Sequence, residues 1–148
     1  MGIISCASGS SCWRGLDYCK DKKVKDIKKI SDIEYTSSIC GTKEYEVYLN
    51  LKNVRKSTCN CPLANGKRII CKHIVATYFS VVPNSAKEFE DEQKRLEEEY
   101  EEYKDNEYKN VIKFINQMSK DELVEELIHI FDYAPEWIYD DFIRRNDI

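Results

Sequence analysis

Three cysteines and one of only two histidines stand close together in the pattern CxC, nine residues, CxH. The pattern is formed by Cys59, Cys61, Cys71 and His73. In an extended segment, side chains two positions apart point to the same side, so the sulfurs of Cys59 and Cys61 can reach one ion. Within a helix such residues point nearly opposite ways, so we expect Cys71 just before a helix and His73 in its first turn. The four side chains therefore predict a metal site.

Three sulfurs and one imidazole make the complete tetrahedral ligand set that structural zinc uses. A full set leaves no position for a water molecule that the metal could activate, so hydrolysis by the zinc is disfavoured. The pattern thus predicts one structural zinc ion. Because no second catalytic constellation appears in the sequence, we expect no catalytic residues and a protein that is not an enzyme. The alternative is that these are ordinary reduced cysteines of a core. Two matched pairs of ligands favour the metal.

The surrounding sequence predicts a small antiparallel sheet with flanking helices, and hence an α+β fold. Apolar residues at helical spacing predict one helix from Ser10 or Ser11 to Lys22 and another from Lys72 to Val82. Asn65-Gly66 is a tight-turn signal that can fold the loop between the ligand pairs back on itself. Two-residue periodicity predicts strands near Val24 to Ile30, Ile33 to Ser37 and Tyr45 to Leu49, with a fourth extended piece from Val54 to Cys59.

The C-terminal part is predicted to be entirely helical. Residues 86–105 form a dense charged helix, and residues 107–118 form another. Ser119 and Glu122 make a capping box for the next helix, and Pro135 suits the first turn of the last one. The side chains expected to face inward include Tyr108, Val111, Ile112, Ile115, Trp137, Ile138 and Phe142. We therefore predict a zinc-binding module at residues 1–85 and an acidic helical extension at residues 86–148.

The CxC…CxH pattern, followed by the apolar helix CKHIVATYFSVV, resembles the SWIM zinc finger. Upstream, Arg14-Gly15, Tyr18 and Val24 stand where SWIM-containing bacterial proteins tend to have an Arg-Gly…Tyr…Val transition from helix to strand. Lys22-Lys23 departs from that pattern, because it occupies a turn where glycine is expected. The resemblance implies zinc binding and an interaction with DNA or with protein.

Composition indicates a soluble globular protein, with 42% hydrophobic and 34% charged residues. No apolar run approaches the ~20 residues of a membrane-spanning helix, so we expect a cytoplasmic protein, or a nuclear one in a eukaryote. The charge is asymmetric. Residues 1–87 hold 15 Lys and Arg against 7 Asp and Glu, or +8, and residues 88–148 hold 8 against 20, or −12. Such an asymmetry indicates two parts with different partners, or partners for each other.

Basic side chains near the zinc pattern are the candidate contacts to nucleic acid, namely Arg55, Lys56, Lys67, Arg68 and Lys72. A solvated lysine-rich surface is the alternative. We predict a non-catalytic accessory protein that binds nucleic acid, DNA or RNA, with DNA as the first candidate. The alternative is an adaptor for protein–protein interaction whose helical region docks a larger enzyme or complex. No small-molecule substrate and no membrane partner are expected. The other four cysteines, Cys6, Cys12, Cys19 and Cys40, are predicted to be free thiols, and His129 a packed helix residue.

Overall fold

The computed structural model, which describes residues 2–147, contains a four-stranded antiparallel sheet. Its strands lie in the order β1 (Val24–Ser31), β2 (Glu34–Cys40), β3 (Glu44–Asn50) and β4 (Thr58–Cys59). Ser37 pairs with Val47 and Ile39 with Tyr45, and Ile39, Val47 and Leu49 are buried. This sheet and its flanking helices confirm the predicted α+β fold class.

Residues 2–147 also form six α-helices: α1 (Ile3–Cys6), α2 (Gly9–Lys20), α3 (Lys72–Val81), α4 (Ser85–Ile115), α5 (Lys120–Tyr133) and α6 (Glu136–Asn146). The core contains Leu16 of α2, Ile74 and Val75 of α3, and the apolar residues of β2 and β3. Helices α2 and α3 approach each other closely at Gly15, where an added Cβ would lie 2.6 Å from Val75 Cγ1. The absence of a side chain at Gly15 thus sets how near α2 lies to α3.

The connection from α2 to β1 explains the lysine found where glycine was expected. Lys22 has φ +53°, in the left-handed region that glycine adopts most easily. The N–H of Lys23 donates to Tyr18 O and the N–H of Lys22 to Cys19 O, both at 3.0 Å. These are the two hydrogen bonds of a Schellman motif, which ends a helix with one left-handed residue. The turn is therefore the one that glycine usually makes, with a lysine in its place.

The predicted extended piece from Val54 to Cys59 is extended only at its end. Val54–Lys56 is a 3₁₀ turn, and regular pairing begins at Thr58. Asn53 N–H donates to Asn50 Oδ1 at 2.6 Å, and Asn50 N–H donates to Ser57 Oγ at 3.0 Å. These local side-chain bonds compete with strand pairing and bend the chain before β4.

The two helices predicted at residues 86–105 and 107–118 are one continuous helix, α4, so the predicted interruption is wrong. Neither glycine nor proline occurs near residue 106, and ion pairs of Lys104 with Glu107 and of Lys109 with Asp105 span the position. The predicted capping box of α5 is confirmed, with Ser119 N–H donating to Glu122 Oε2 at 2.7 Å. Pro135 lies one residue before the first residue of α6.

Contacts divide the chain into two compact units, one up to Lys94 and the other from Arg95. In the first unit, Phe89 at the start of α4 contacts Trp13 and Phe79. In the second, Phe131 contacts Tyr139 and Phe142.

No described residue of the second unit, from 95 to 147, is buried. Trp137 is 68% exposed, and Ile138 and Phe142 are only partly buried, so the prediction that α6 buries them is wrong. The same holds for the inward residues predicted on α4, which are exposed: Tyr108, Val111, Ile112 and Ile115. None of the helices in residues 2–147 combines the length and the apolar character needed to cross a bilayer.

Candidate metal centre

The first pair of cysteines is fixed by the edge of the sheet. Cys59 ends β4 opposite Val47 of β3, and Asn60 exchanges two hydrogen bonds with the backbone of Glu46. Cys61 follows two positions later, and its own N–H donates to Cys59 Sγ at 3.4 Å. The extended backbone brings both sulfurs to one side, as the spacing predicts.

The loop between the two pairs is folded by its own backbone bonds. Ala64 and Asn65 both donate to Cys61 O, at 3.0 and 2.8 Å, and Lys67 donates to Ala64 O at 2.9 Å. Gly66 has φ +68°, which a residue with a side chain adopts only under strain. The Asn65-Gly66 turn thus returns the chain to the site.

The second pair lies at the N-terminus of α3. Cys71 is the N-cap residue of α3, and His73 lies in its first turn. Their sulfur and imidazole meet those of Cys59 and Cys61, and the four ligand atoms all lie within 4.8 Å of one another. His73 Nδ1 lies 3.6 Å from Cys59 Sγ and 3.9 Å from Cys71 Sγ. All four residues are buried, with at most 4% of their surface exposed.

Two distances within the cluster suit a tetrahedral zinc ion. Zinc bonds of about 2.3 Å to sulfur and about 2.0–2.1 Å to nitrogen imply ligand atoms about 3.5–3.8 Å apart. The two sulfur–nitrogen distances, 3.6 and 3.9 Å, are close to this value.

The burial of the imidazole is a second indication. The polar contacts of His73 Nδ1 are the two thiol sulfurs, so Nδ1 is the ring nitrogen that faces the cluster. A buried polar ring with such weak contacts costs free energy unless it binds something. The Cys/Cys/Cys/His cluster is consistent with one structural zinc ion, as predicted.

The surroundings of the Cys71 sulfur favour its thiolate, which is the form that binds zinc. The pKa of Cys71 is lowered to about 4 by a hydrogen bond from the Cys59 thiol, and further by His73 and by the backbone N–H groups of His73 and Ile74. The pKa of Cys59 is raised, because its thiol donates that bond and is buried. Without metal, the proton therefore resides on Cys59 rather than on Cys71. A bound zinc ion removes this difference, because it requires both sulfurs as thiolates.

Two tyrosines hold the imidazole in place. Tyr45 of β3 stacks on the His73 ring with centroids 4.5 Å apart, and Tyr18 of α2 lies at 5.5 Å in a tilted arrangement. Lys72 Nζ donates to Tyr18 Oη at 2.7 Å and lies 4.2 Å from the centre of that ring. The spacing of the four ligands did not reveal these contacts, because they join residues distant in the sequence.

The structure places the predicted nucleic-acid contacts in the connection from β3 to α3 and at the start of α3. Arg55 and Lys56 are exposed in the 3₁₀ turn, Lys67 and Arg68 are exposed in the loop between the ligand pairs, and Lys72 is partly buried. None of the five forms an ion pair with another described residue. Lys56 interacts electrostatically with the Glu34 carboxylate. The other four side chains present positive charge that no ion pair with a described residue offsets, at positions close in the sequence to the metal ligands.

The remaining cysteines, Cys6, Cys12, Cys19 and Cys40, lie outside the cluster and are free thiols, as predicted. Cys12 is buried, and this burial raises the pKa of its thiol. His129 is exposed on α5, where its ring contacts Tyr133 at 4.8 Å, so the prediction that it is packed is wrong.

Residues 45–81 match the family model of the SWIM zinc finger. The match contains all four ligands and runs from Tyr45 to the end of α3, so the predicted resemblance is confirmed over this segment. Arg14-Gly15, Tyr18 and Val24 lie outside it. Comparison with curated proteins and with solved structures returns no match.

Proposed function

We propose that this chain, which carries a SWIM zinc finger at residues 45–81, is a non-catalytic accessory protein whose zinc module binds nucleic acid, DNA above all. The observation that carries the proposal is a group of basic side chains at the finger that form no ion pair with another described residue: Arg55, Lys56, Lys67, Arg68 and Lys72. Such side chains neutralise phosphates, and phosphate neutralisation supplies most non-specific affinity.

The charge of the first unit supports the proposal. Residues 1–94 hold 16 Lys and Arg against 11 Asp and Glu, or +5, whereas the whole chain carries −4. The unit that contains the zinc finger therefore carries a net positive charge, although the net charge of the whole chain is negative. A localised basic surface can bind a polyanion even when the net charge of the protein is negative.

A non-catalytic role is supported by the ligand set. Four protein side chains complete a tetrahedral shell, so zinc has a structural role in folding the finger. The loop carrying Lys67 and Arg68 is closed at both ends by metal ligands. We therefore expect zinc to hold these two side chains in position without acting on a substrate.

A titration of zinc-loaded full chain with duplex DNA tests the proposal. Fluorescence anisotropy at a series of salt concentrations should show an affinity that falls steeply with salt, because bound phosphates release counterions. Replacing both Lys67→Glu and Arg68→Glu should weaken binding to all sequences alike and lower the salt slope by about two. The matched control is Lys113→Glu with Lys120→Glu, which reverses two exposed charges in the second unit. Absence of binding at low salt with zinc present would contradict the proposal.

A second candidate, an adaptor that docks a larger protein, is favoured by one observation on the second unit. None of its described residues is buried, and large apolar side chains are exposed on α4, α5 and α6, including Leu127 and Trp137. Residues 95–148 hold 7 Lys and Arg against 16 Asp and Glu, or −9. A protein partner with an apolar and basic surface would be complementary to this unit.

The adaptor is tested with variants of the exposed apolar residues. A stable complex recovered with the full chain should be lost on Leu127→Asp with Ile128→Asp, which changes two exposed residues of α5. The control is Lys67→Glu with Arg68→Glu, which leaves the second unit untouched. A partner retained by the α5 variant and lost by the control would contradict docking through the helices.

A further inference from the structure

A cavity of about 230 Å³ lies beside the zinc ligands. It is bounded by α2, by the turn between β2 and β3, by β3, by the loop between the ligand pairs and by the start of α3, all within the first unit. The polar side chains that decide its chemistry are Ser11, Arg14, Tyr18, Thr42, Tyr45 and Lys72. Its volume is below the ~300–1,000 Å³ of pockets for drug-sized molecules, so it suits a single chemical group.

Helix α2 supplies one wall of the cavity through a single face. Ser11, Arg14 and Tyr18 are three and four positions apart, so their side chains lie along the same stripe. Gly15 lets α2 approach α3 more closely than a side chain would allow, which brings that stripe beside Lys72. The two residues of the pair Arg14-Gly15 thus have different roles. Gly15 permits the close approach of α2 to α3, and Arg14 lines the cavity.

The charge of the cavity is positive. Arg14 and Lys72 form no ion pair with any described residue, and no carboxylate is among the residues that line the cavity. A dication bound by three thiolates carries a formal charge of −1, which offsets one of the two cations. One positive charge remains, beside two tyrosine rings and the hydroxyl groups of Ser11 and Thr42, which are able to donate hydrogen bonds.

We propose that this cavity binds one phosphate group. A planar guanidinium, an ammonium and hydroxyl donors approaching from different walls match a tetrahedral oxyanion, whose oxygens accept hydrogen bonds in several directions. The source of the phosphate rests on the proposed function: it belongs to a bound nucleic-acid strand. Arg14 and Lys72 bind it. Arg14 is then a further contact to nucleic acid beside the five basic side chains of the finger, although it lies in α2, outside residues 45–81.

Inorganic phosphate is the probe for the cavity itself. Adding it to the ¹⁵N-labelled, zinc-loaded full chain at constant ionic strength should shift the NMR signals of Arg14 Nε–H and of the Ser11 and Thr42 amides, and the shifts should saturate. Arg14→Gln should abolish the saturable shifts at Ser11 and Thr42, with the zinc content unchanged by elemental analysis. The control is Lys52→Gln, which removes one exposed charge of the same unit outside the cavity. Absence of saturation, or saturation that survives Arg14→Gln, overturns the proposal.

An oligonucleotide distinguishes the two sources of the phosphate. If a strand phosphate occupies the cavity, a bound oligonucleotide should suppress the shifts caused by inorganic phosphate, and Arg14→Gln should reduce the salt slope of binding by about one. Oligonucleotide binding that leaves both the phosphate shifts and the Arg14→Gln slope unaltered overturns the strand assignment. Saturable phosphate binding without any oligonucleotide binding refutes the proposed function and supports a site for free phosphate.

Discussion

Replacing Gly15→Ala should destabilise the first unit, although alanine is the better helix former. The new Cβ would lie 2.6 and 2.7 Å from two carbons of Val75 and 2.9 Å from the backbone oxygen of Lys72. Carbon atoms normally approach to about 3.5–4.0 Å, so α2 and α3 must separate by close to 1 Å. Overpacking of this kind typically costs about 1–3 kcal/mol. We expect a cost near the upper end of this range, because the contact with Lys72 O involves a backbone atom, which cannot move away as a side chain can. Alanine recovers about 1 kcal/mol of helix propensity, so we expect a net loss of about 2 kcal/mol.

Urea unfolding of the zinc-loaded full chain, followed by the fluorescence of Trp13, measures this loss as a lower midpoint with an unchanged slope. Trp137 in the second unit contributes a background that Trp137→Phe removes. The matched control is Gly9→Ala at the first position of the same helix, where an added Cβ meets nothing within 4 Å. The control should be neutral or slightly more stable.

A partial rescue separates the clash from other causes. Val75→Ala removes Cγ1, the nearest atom, so its cost should be smaller in the Gly15→Ala background than alone. The contacts with Val75 Cβ at 2.7 Å and with Lys72 O at 2.9 Å would remain, and the double variant should stay less stable than Val75→Ala. A Gly15→Ala chain as stable as the parent would refute the close approach of α2 and α3, and with it the placement of Arg14 at the cavity.

Three further outcomes are expected. Native protein should contain about one zinc ion per chain by elemental analysis. Replacing Cys61→Ser or His73→Ala should lower the zinc content and unfold the first unit. Natively folded protein without bound metal would contradict the zinc site. Lys22→Gly should raise the free energy of unfolding by about 0.5–1 kcal/mol, because φ +53° costs lysine more than glycine. Lys52→Gly, whose φ is not positive, serves as its control and should not stabilise. Truncation after Lys94 removes a segment of charge −9 and should strengthen binding to polyanions at low salt. The difference in affinity between the truncated and the full chain should shrink as salt rises, because salt screens the charges. Equal affinities at low salt would assign the acidic helices to another partner.

Local spacing accounts for what the sequence predicted correctly. The CxC and CxH pairs, the Asn65-Gly66 turn and the capping box at Ser119 each depend on residues a few positions apart, whose geometry follows from one strand, turn or helix end. The small antiparallel sheet was predicted for the same reason, since two-residue periodicity needs no knowledge of the partner strand. Where local side-chain hydrogen bonds bend the chain, as at Val54–Lys56, the periodicity was misleading.

Packing between distant segments decided the rest. Tyr45 stacks on His73 and Arg14 reaches the cavity only because β3, α2 and α3 meet, with Gly15 setting the distance of α2 from α3. The apolar residues predicted to be inward on the C-terminal helices, such as Ile112 and Trp137, are exposed. A periodic apolar stripe indicates which face of a helix would be buried, whereas burial also needs an opposing surface. The sequence of the helix does not contain that surface, so only the tertiary structure could show that it is missing from the described residues.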